Sequence, residues 1–213
     1  MVDNNVSSVI LRSLWVALMA VGVGLIPGVF LAFRMSRKHN LFWVAIEYLL
    51  YIPLVFPPVV IGWWLLQIKS LHFNIWGAVV AACVVSFPLL TQTIRVAFDQ
   101  IDPSLEDAIR VDGGGKWPVF RYLYFPLVLP GIVAGAVLAF ARALGEFGAT
   151  IVVAGNIPGE TETLPLAIYT SLQRPNGEVF LYPLLIACSL LSITAVLIHA
   201  ILRQLTRKRL GQM

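Results

Sequence analysis

Charged side chains are scarce in this chain. Asp, Glu, Lys and Arg make up only 12% of its 213 residues, against about a quarter in an ordinary soluble domain. Hydrophobic residues make up 59%, and the mean hydropathy is +0.85. A soluble domain of this length could not bury so much apolar surface, so the composition predicts an integral membrane protein surrounded by lipid. The net charge of +4 is too small to indicate a nucleic-acid-binding protein.

Patterns that would indicate catalysis or metal binding are also missing. The only two cysteines, Cys83 and Cys188, lie in apolar segments, so the sequence predicts neither a disulfide framework nor a metal site. It contains no Ser-His-Asp set and no paired carboxylates. An intramembrane enzyme is therefore a minor alternative, and the better interpretation is a subunit that catalyses no reaction itself.

Five apolar segments have about the 20 residues that a helix needs to cross the hydrocarbon core of a bilayer. They are residues 14–33, 48–68, 71–94, 122–141 and 179–202. We expect the third to begin near Trp76 and the fourth to continue past Glu146. Residues 1–213 contain no soluble domain and no internal repeat. The sequence therefore predicts a single all-α transmembrane domain with about five spans.

The basic residues indicate how these spans are oriented. Eleven of the fifteen lysines and arginines follow the first span, separate the third from the fourth, or follow the fifth: Arg34, Arg37, Lys38, Arg95, Arg110, Lys116, Arg121, Arg203, Arg207, Lys208 and Arg209. Lysine and arginine are enriched in cytoplasmic loops. We therefore predict an outside N-terminus, a cytoplasmic C-terminus and a cytoplasmic location for residues 101–126.

The longest predicted outside connection is residues 156–178. Asn156-Ile-Pro-Gly159 has the composition of a turn, because proline presets φ and glycine tolerates positive φ. Residues 163–173 have enough apolar side chains for a short helix that lies at the membrane surface or dips inward.

The polar stretch 101–126 separates two spans and has the pattern of two short helices joined at three glycines. Asp102 and Pro103 favour a helix start, since aspartate caps free N–H groups and proline is tolerated at the first helical position. Glu106 and Arg110 are spaced to pair at i,i+4, and Gly113 is placed to end the helix. The second helix is expected to begin at Trp117. Such an element is either an ordinary connector or a docking site for a partner.

The glycine string 113–115 and Lys116 do not form a phosphate-binding loop. A P-loop would require glycine at 110 and serine or threonine at 117, where this chain has Arg110 and Trp117. We therefore expect no ATP site and no cofactor on this chain.

The same stretch resembles the signature loop of permease subunits of type I ABC importers. That motif runs Glu-Ala-Ala, three residues, glycine, nine residues, Ile-x-Leu-Pro. Its positions fall on Asp107, Ala108, Ile109, Gly113, Leu123, Phe125 and Pro126, with Glu106 directly before them. Four positions differ in residue type but keep charge or apolarity. The resemblance implies that a cytoplasmic loop of about 99–122 couples to a separate subunit that uses ATP and Mg²⁺.

Further stretches resemble the permeases of oxyanion importers, most closely those for molybdate. They read LVFPPVVIG at 54–62, FARALGEFGAT at 140–150 and AGNIPGETETLPLAIY at 154–169. The resemblance implies molybdate import across the bacterial cytoplasmic (inner) membrane, with tungstate, sulfate or thiosulfate as alternatives. It further implies a homodimer, two cytoplasmic ATP-binding subunits and an external oxyanion-binding protein. An ion-coupled secondary carrier remains a more remote alternative.

Two pairs of residues inside the spans are candidates for a transport pathway or for packing. Arg142 and Glu146 lie one helical turn apart in an apolar region, where charges normally face a partner or a water-filled path. Arg142 would attract an oxyanion, but pairing with Glu146 is the favoured interpretation. Pro57 and Pro58 would bend the second span, either beside a pathway or as a structural kink.

Overall fold

The computed structural model describes residues 6–38, 40–111, 114–175 and 177–210, apart from the side chains of 203 and 205–210. Within these ranges the regular structure is helical and no strand occurs. The helices are α1 (Val6–Arg37), α2 (Leu41–Val55), α3 (Pro58–Leu66), α4 (Ile75–Asp99), α5 (Pro103–Val111), α6 (Lys116–Leu144), α7 (Gly148–Val153), α8 (Leu164–Gln173) and α9 (Glu178–Leu210). A single 3₁₀ turn, Lys69–Leu71, precedes α4. The predicted all-α fold is confirmed.

Four helices, α1, α4, α6 and α9, are long and apolar enough to cross a membrane. A fifth span exists only if α2 and α3 are counted together, and these two helices meet at an angle of 106°. The predicted second span, 48–68, is therefore broken between Val55 and Pro58, where the sequence predicts a bend, and its first helix begins earlier, at Leu41. Phe56 is extended, with φ −73° and ψ 143°, because a following proline disfavours the helical conformation. Pro58 then occupies the first position of α3, where no N–H is needed.

Two other boundaries differ from the sequence prediction. The fourth span does not continue past Glu146, since α6 ends at Leu144 and the short helix α7 starts at Gly148. At its other end, the helix expected at Trp117 is not a separate element. It runs through a π-helical segment, Val119–Tyr124, directly into the span. The polar stretch therefore contains one free-standing short helix, α5, and the beginning of α6.

Helix α4 occupies the centre of the bundle. In its most apolar 18-residue window 61% of the residues are buried, against 11% for α9, which leaves most of its apolar side chains exposed. Small residues bring the neighbouring helices close to α4. A Cβ on Gly28 of α1 would lie 3.2 Å from Leu90, and one on Gly135 of α6 would lie 3.1 Å from the Leu90 carbonyl oxygen. This packing matches the close helix approach that small residues allow in membrane proteins.

The connection between α7 and α8 folds against the start of α1. A turn forms at 157–160, one residue later than the predicted 156–159, with Gly159 at φ +85°. The predicted short helix is confirmed as α8, and Leu164 and Leu166 on it are fully buried. Arg12 of α1 donates hydrogen bonds to the carbonyl oxygens of Glu162 (2.8 Å) and Gly159 (2.9 Å). The second half of the connection is therefore hydrogen-bonded to α1.

Glu162 in this connection is buried, and its Oε2 atom has no hydrogen-bond partner. Burial raises the pKa of Glu162, against the opposing effect of Arg174 and Arg12. A raised pKa means that stability is highest with the carboxyl protonated and falls as the pH rises through the folded-state pKa. We expect Glu162→Gln to raise the thermal midpoint at pH 8, with a gain that shrinks as the pH falls towards 4.5.

The exposed Glu160→Gln in the same loop is the matched control and should leave the midpoint unchanged. The measurement is thermal unfolding of the purified protein in detergent across this pH range. A midpoint for Glu162→Gln below that of the wild type at pH 8 would contradict the expectation. It would show that the ionised carboxylate stabilises the loop through its arginine neighbours.

Candidate functional site

Helix α5 begins and ends with local hydrogen bonds that its sequence supplies. The Ser104 N–H donates to Asp102 Oδ1 at 2.9 Å, which confirms the predicted cap and keeps the pKa of Asp102 below its usual value. At the other end, the Gly114 N–H donates to the Ile109 carbonyl oxygen at 2.9 Å. This bond spans five residues, as at the end of a Schellman motif. The predicted stop at Gly113 lies outside the described residues.

Two faces of α5 differ sharply in exposure. Glu106 and Ile109 are half-buried and face the spans. The opposite side, which we call the outward face, consists of Ser104, Asp107, Ala108 and Val111. Val111 is 86% exposed, although it is the most apolar residue of this face. A small, partly apolar face on an otherwise solvated helix is typical of a docking surface.

Side chains of three helices cluster around Glu106 and Tyr124. The predicted pairing with Arg110 is confirmed, with 2.5 Å between Arg110 Nη2 and Glu106 Oε1. The Tyr124 hydroxyl of α6 donates to Glu106 Oε2, also at 2.5 Å. Arg37 of α1 lies 5.3 Å from the Tyr124 ring centroid and donates to the Ile101 carbonyl oxygen at 3.4 Å. We call Arg37, Glu106, Arg110 and Tyr124 the anchor of α5.

The anchor keeps Glu106 ionised. The hydrogen bond from Tyr124 lowers the pKa of Glu106 most, and Arg110 and Arg37 lower it further, against the opposing effect of partial burial. Sequence reasoning identified the Glu106–Arg110 pair but not Tyr124 or Arg37. No spacing rule joins residues 18 and 69 positions away from a glutamate, so this contact had no sequence signal.

The last three residues of the importer motif lie partly in the core and partly on the surface. Leu123 is buried and packs in one cluster with Val119, Tyr124 and the half-buried Ile109. Phe125 and Pro126 are exposed on the other side of α6. The end of the motif therefore supplies both a buried apolar contact for α5 and part of an exposed surface beside it.

The candidates inside the spans lie at two helix breaks that touch each other. Glu146 sits between α6 and α7, where its Oε2 atom lies 2.8 Å from Arg142 Nη1 and its Oε1 atom accepts from the Ala149 N–H at 2.9 Å. The favoured pairing of Arg142 with Glu146 is thus confirmed. The Glu146 side chain is 2% exposed and that of Arg142 33%. The carboxylate therefore joins α6 to the first turn of α7.

The second break, between α2 and α3, packs directly on α7. A Cβ on Gly148 would lie 3.0 Å from the Pro58 side chain, and one on Gly62 would lie 2.7 Å from the Ala149 carbonyl oxygen. Pro57 is the residue that precedes α3. In the described part of the chain, no group of three or more His, Cys, Asp or Glu side chains could hold a metal ion.

Comparison with known proteins identifies the family to which this arrangement of helices belongs. Residues 13–208 match the family model described as binding-protein-dependent transport system inner membrane component. The chain belongs to this family. The predicted resemblance to ABC importer permeases and the predicted inner-membrane, multi-pass location are confirmed.

Individual relatives match over most of their length. The molybdenum transport system permease protein ModB of Escherichia coli K12 is 42% identical, over 95% of this chain and 96% of that protein. The putative molybdenum transport system permease protein YvgM of Bacillus subtilis is 40% identical, over 80% and 82%. A solved structure of the MetNI methionine ABC transporter in an inward-facing conformation matches with a TM-score of 0.67 at 18% identity, covering 97% of this chain and 98% of that one. The type I importer permease fold is thereby confirmed.

In this permease, removing the Tyr124 hydroxyl should loosen α5 without unfolding the spans. A hydrogen bond to a charged group contributes about 1.5–3 kcal/mol. We therefore expect Tyr124→Phe to speed hydrogen exchange of the α5 amides by roughly tenfold or more. Mass-spectrometric hydrogen exchange on the purified protein measures this directly.

Tyr122→Phe is the matched control, because the Tyr122 side chain is 75% exposed on the same turns of α6. Equal exchange rates in α5 for the two variants would show that the anchor does not hold the helix.

Proposed function

We propose that this chain is the permease subunit of an ATP-driven importer that moves molybdate across the cytoplasmic membrane. The observation that carries the proposal is the near-full-length similarity to permeases named for molybdenum transport in Escherichia coli and Bacillus subtilis. The oxyanion-permease resemblance of residues 54–62, 140–150 and 154–169 supports the same substrate class.

The proposed complex contains two copies of this chain, two cytoplasmic ATP-binding subunits and one external oxyanion-binding protein. ATP and Mg²⁺ bind to the ATP-binding subunits, and this chain catalyses no reaction. The eleven basic residues near one side of the bundle favour an orientation with α5 in the cytoplasm and the N-terminus outside. The likeness of fold to an ABC transporter permease supports this arrangement.

In the proposed coupling mechanism, the outward face of α5 docks in a groove of the ATP-binding subunit. Asp107, Ala108 and Val111 would make the contact, since they are exposed side by side on that face. The anchor connects α5 to α1 and α6, so a displacement of α5 would be transmitted to two spans. Packed helices with two discrete arrangements are the usual elements of such transitions.

The apolar contact between Ile109 of α5 and Leu123 of α6 would make the two helices move as one body. Phe125 and Pro126 would extend the docking surface. We propose Gly113 as the helix stop that the family motif places there. The breaks at Pro57 and Pro58 and at Arg142 and Glu146 are the proposed points where the spans bend between their two states. The paired Arg142 would serve this packing rather than anion binding.

Competition among oxyanions tests the substrate assignment. Uptake of radiolabelled molybdate is measured in proteoliposomes that contain the permease, its ATP-binding subunit and its own binding protein. We expect an excess of tungstate to compete strongly and an excess of sulfate or thiosulfate to compete weakly. The matched control omits the binding protein, which should remove uptake of every anion. Sulfate uptake that molybdate fails to displace would contradict the molybdate assignment and favour a sulfate importer.

A further inference from the structure

A groove of about 600 Å³ opens between the last third of α1 and the first turns of α6, beside α5. We call it the α1–α6 groove. Its walls are largely apolar and include Ile26 and Phe30 of α1 and Phe120 of α6. These three side chains are 79%, 53% and 49% exposed, so the described part of the chain leaves them uncovered. The volume is in the range of pockets that hold a small ligand.

The rim of the groove is positively charged. Arg34, Arg110 and Lys116 line it, together with a single carboxylate, Glu106, which already pairs with Arg110. The Arg34 guanidinium lies 5.1 Å from the Phe30 ring centroid, which holds it over the apolar wall. Among the described residues, neither Arg34 nor Lys116 has a carboxylate within 4.0 Å. Among the described residues, the rim therefore carries more positive than negative charge.

The position of the rim along the helices matches the level of lipid headgroups. Arg34 lies in the last turn of the spanning helix α1, and Lys116 is the first residue of the spanning helix α6. The apolar wall extends from these two cations towards the hydrocarbon region. Long basic side chains at helix ends reach the membrane interface, and basic pockets between spans bind anionic headgroups.

We propose that the α1–α6 groove binds one anionic phospholipid, with its phosphate between Arg34 and Lys116 and an acyl chain along Ile26 and Phe30. An amphipathic anion satisfies both features of the groove, whereas a free oxyanion would leave the apolar wall in water. The ATP-binding subunit is a poorer fit, because its proposed contact is the outward face of α5 and the groove lies on the opposite side, next to Glu106. The proposal does not depend on which anion the permease transports.

Lipid retention by the purified transporter complex tests this proposal. The complex is delipidated in detergent, incubated with phosphatidylglycerol or with phosphatidylcholine, and examined by native mass spectrometry. We expect one phosphatidylglycerol per permease chain to be retained in preference to phosphatidylcholine. The double variant Arg34→Gln with Lys116→Gln removes two charge contacts with the phosphate. It should therefore weaken phosphatidylglycerol binding roughly thirtyfold.

The control is Lys38→Gln with Arg121→Gln, which removes the same charge from the same end of the bundle outside the groove. Lys116→Gln alone changes an exposed side chain, so this variant should fold normally. Its loss of binding free energy should be about half that of the double variant, because it removes one of the two cations. Equal retention of phosphatidylcholine, an equal loss in the control or no retention by the wild type would each overturn the proposal. Displacement by inorganic phosphate would assign the site to a free anion. If the lipid binds only when the ATP-binding subunit or the second permease copy is absent, the missing protein is the one that occupies the groove in the complex.

Discussion

Replacing Val111 with aspartate is expected to abolish ATP-driven uptake while leaving the permease folded and inserted. Val111 is 86% exposed on the outward face of α5, so the change costs little in the isolated chain. In a desolvated docking groove, an unpaired charge costs about 3 kcal/mol or more. That loss corresponds to roughly a hundredfold weaker association with the ATP-binding subunit.

Co-purification of the two subunits measures the association, and uptake in proteoliposomes measures the consequence. The matched control is Leu172→Asp, an equivalent change at a side chain 65% exposed on α8. It should leave association with the ATP-binding subunit unchanged, because the proposed contact lies on α5. Wild-type association of Val111→Asp would contradict the docking role of the outward face.

Replacing Glu146 with alanine is expected to destabilise this permease strongly. The carboxylate side chain is 2% exposed and satisfies both Arg142 and the Ala149 N–H. Its removal leaves an arginine in an apolar region without its partner, and breaking a buried pair in this way costs about 3–5 kcal/mol. The partial exposure of Arg142, at 33%, places the expected loss at the lower end of that range.

Thermal unfolding in detergent tests this expectation. Glu178→Ala removes an exposed carboxylate at the start of α9 and should leave the midpoint close to that of the wild type. Equal midpoints for the two variants would contradict the structural role of Glu146. A companion variant, Arg142→Ala, separates packing from transport. If it folds normally but does not transport, Arg142 contributes to the pathway itself.

Local features of α5 could be predicted from the sequence because they depend on neighbouring residues. The start at Asp102 and Pro103 and the pairing of Glu106 with Arg110 follow from capping and from i,i+4 spacing. The contact between Glu106 and Tyr124 could not be predicted in this way. It depends on how α6 returns past α5, which is determined by the packing of Leu123 and Ile109 and not by any local pattern.

The bend between α2 and α3 was only partly predictable, because proline is an ambiguous signal in membrane helices. Pro27, Pro88 and Pro130 lie inside helices that continue through them. Pro57 and Pro58 break the second span, since two adjacent prolines remove consecutive N–H groups and constrain Phe56 to an extended conformation. The resulting angle, and the contact of Pro58 with Gly148, depend on tertiary packing.

Uptake with an inactive ATPase tests whether this chain is the permease of an ATP-driven molybdate importer. Proteoliposomes contain the permease, its binding protein and an ATP-binding subunit whose phosphate-loop lysine is either intact or replaced. Mg-ATP is supplied on the side to which α5 is assigned. We predict molybdate accumulation with the intact subunit and none with the replaced lysine. Accumulation that continued without ATP hydrolysis and followed an ion gradient would contradict ATP-driven import and indicate a secondary carrier.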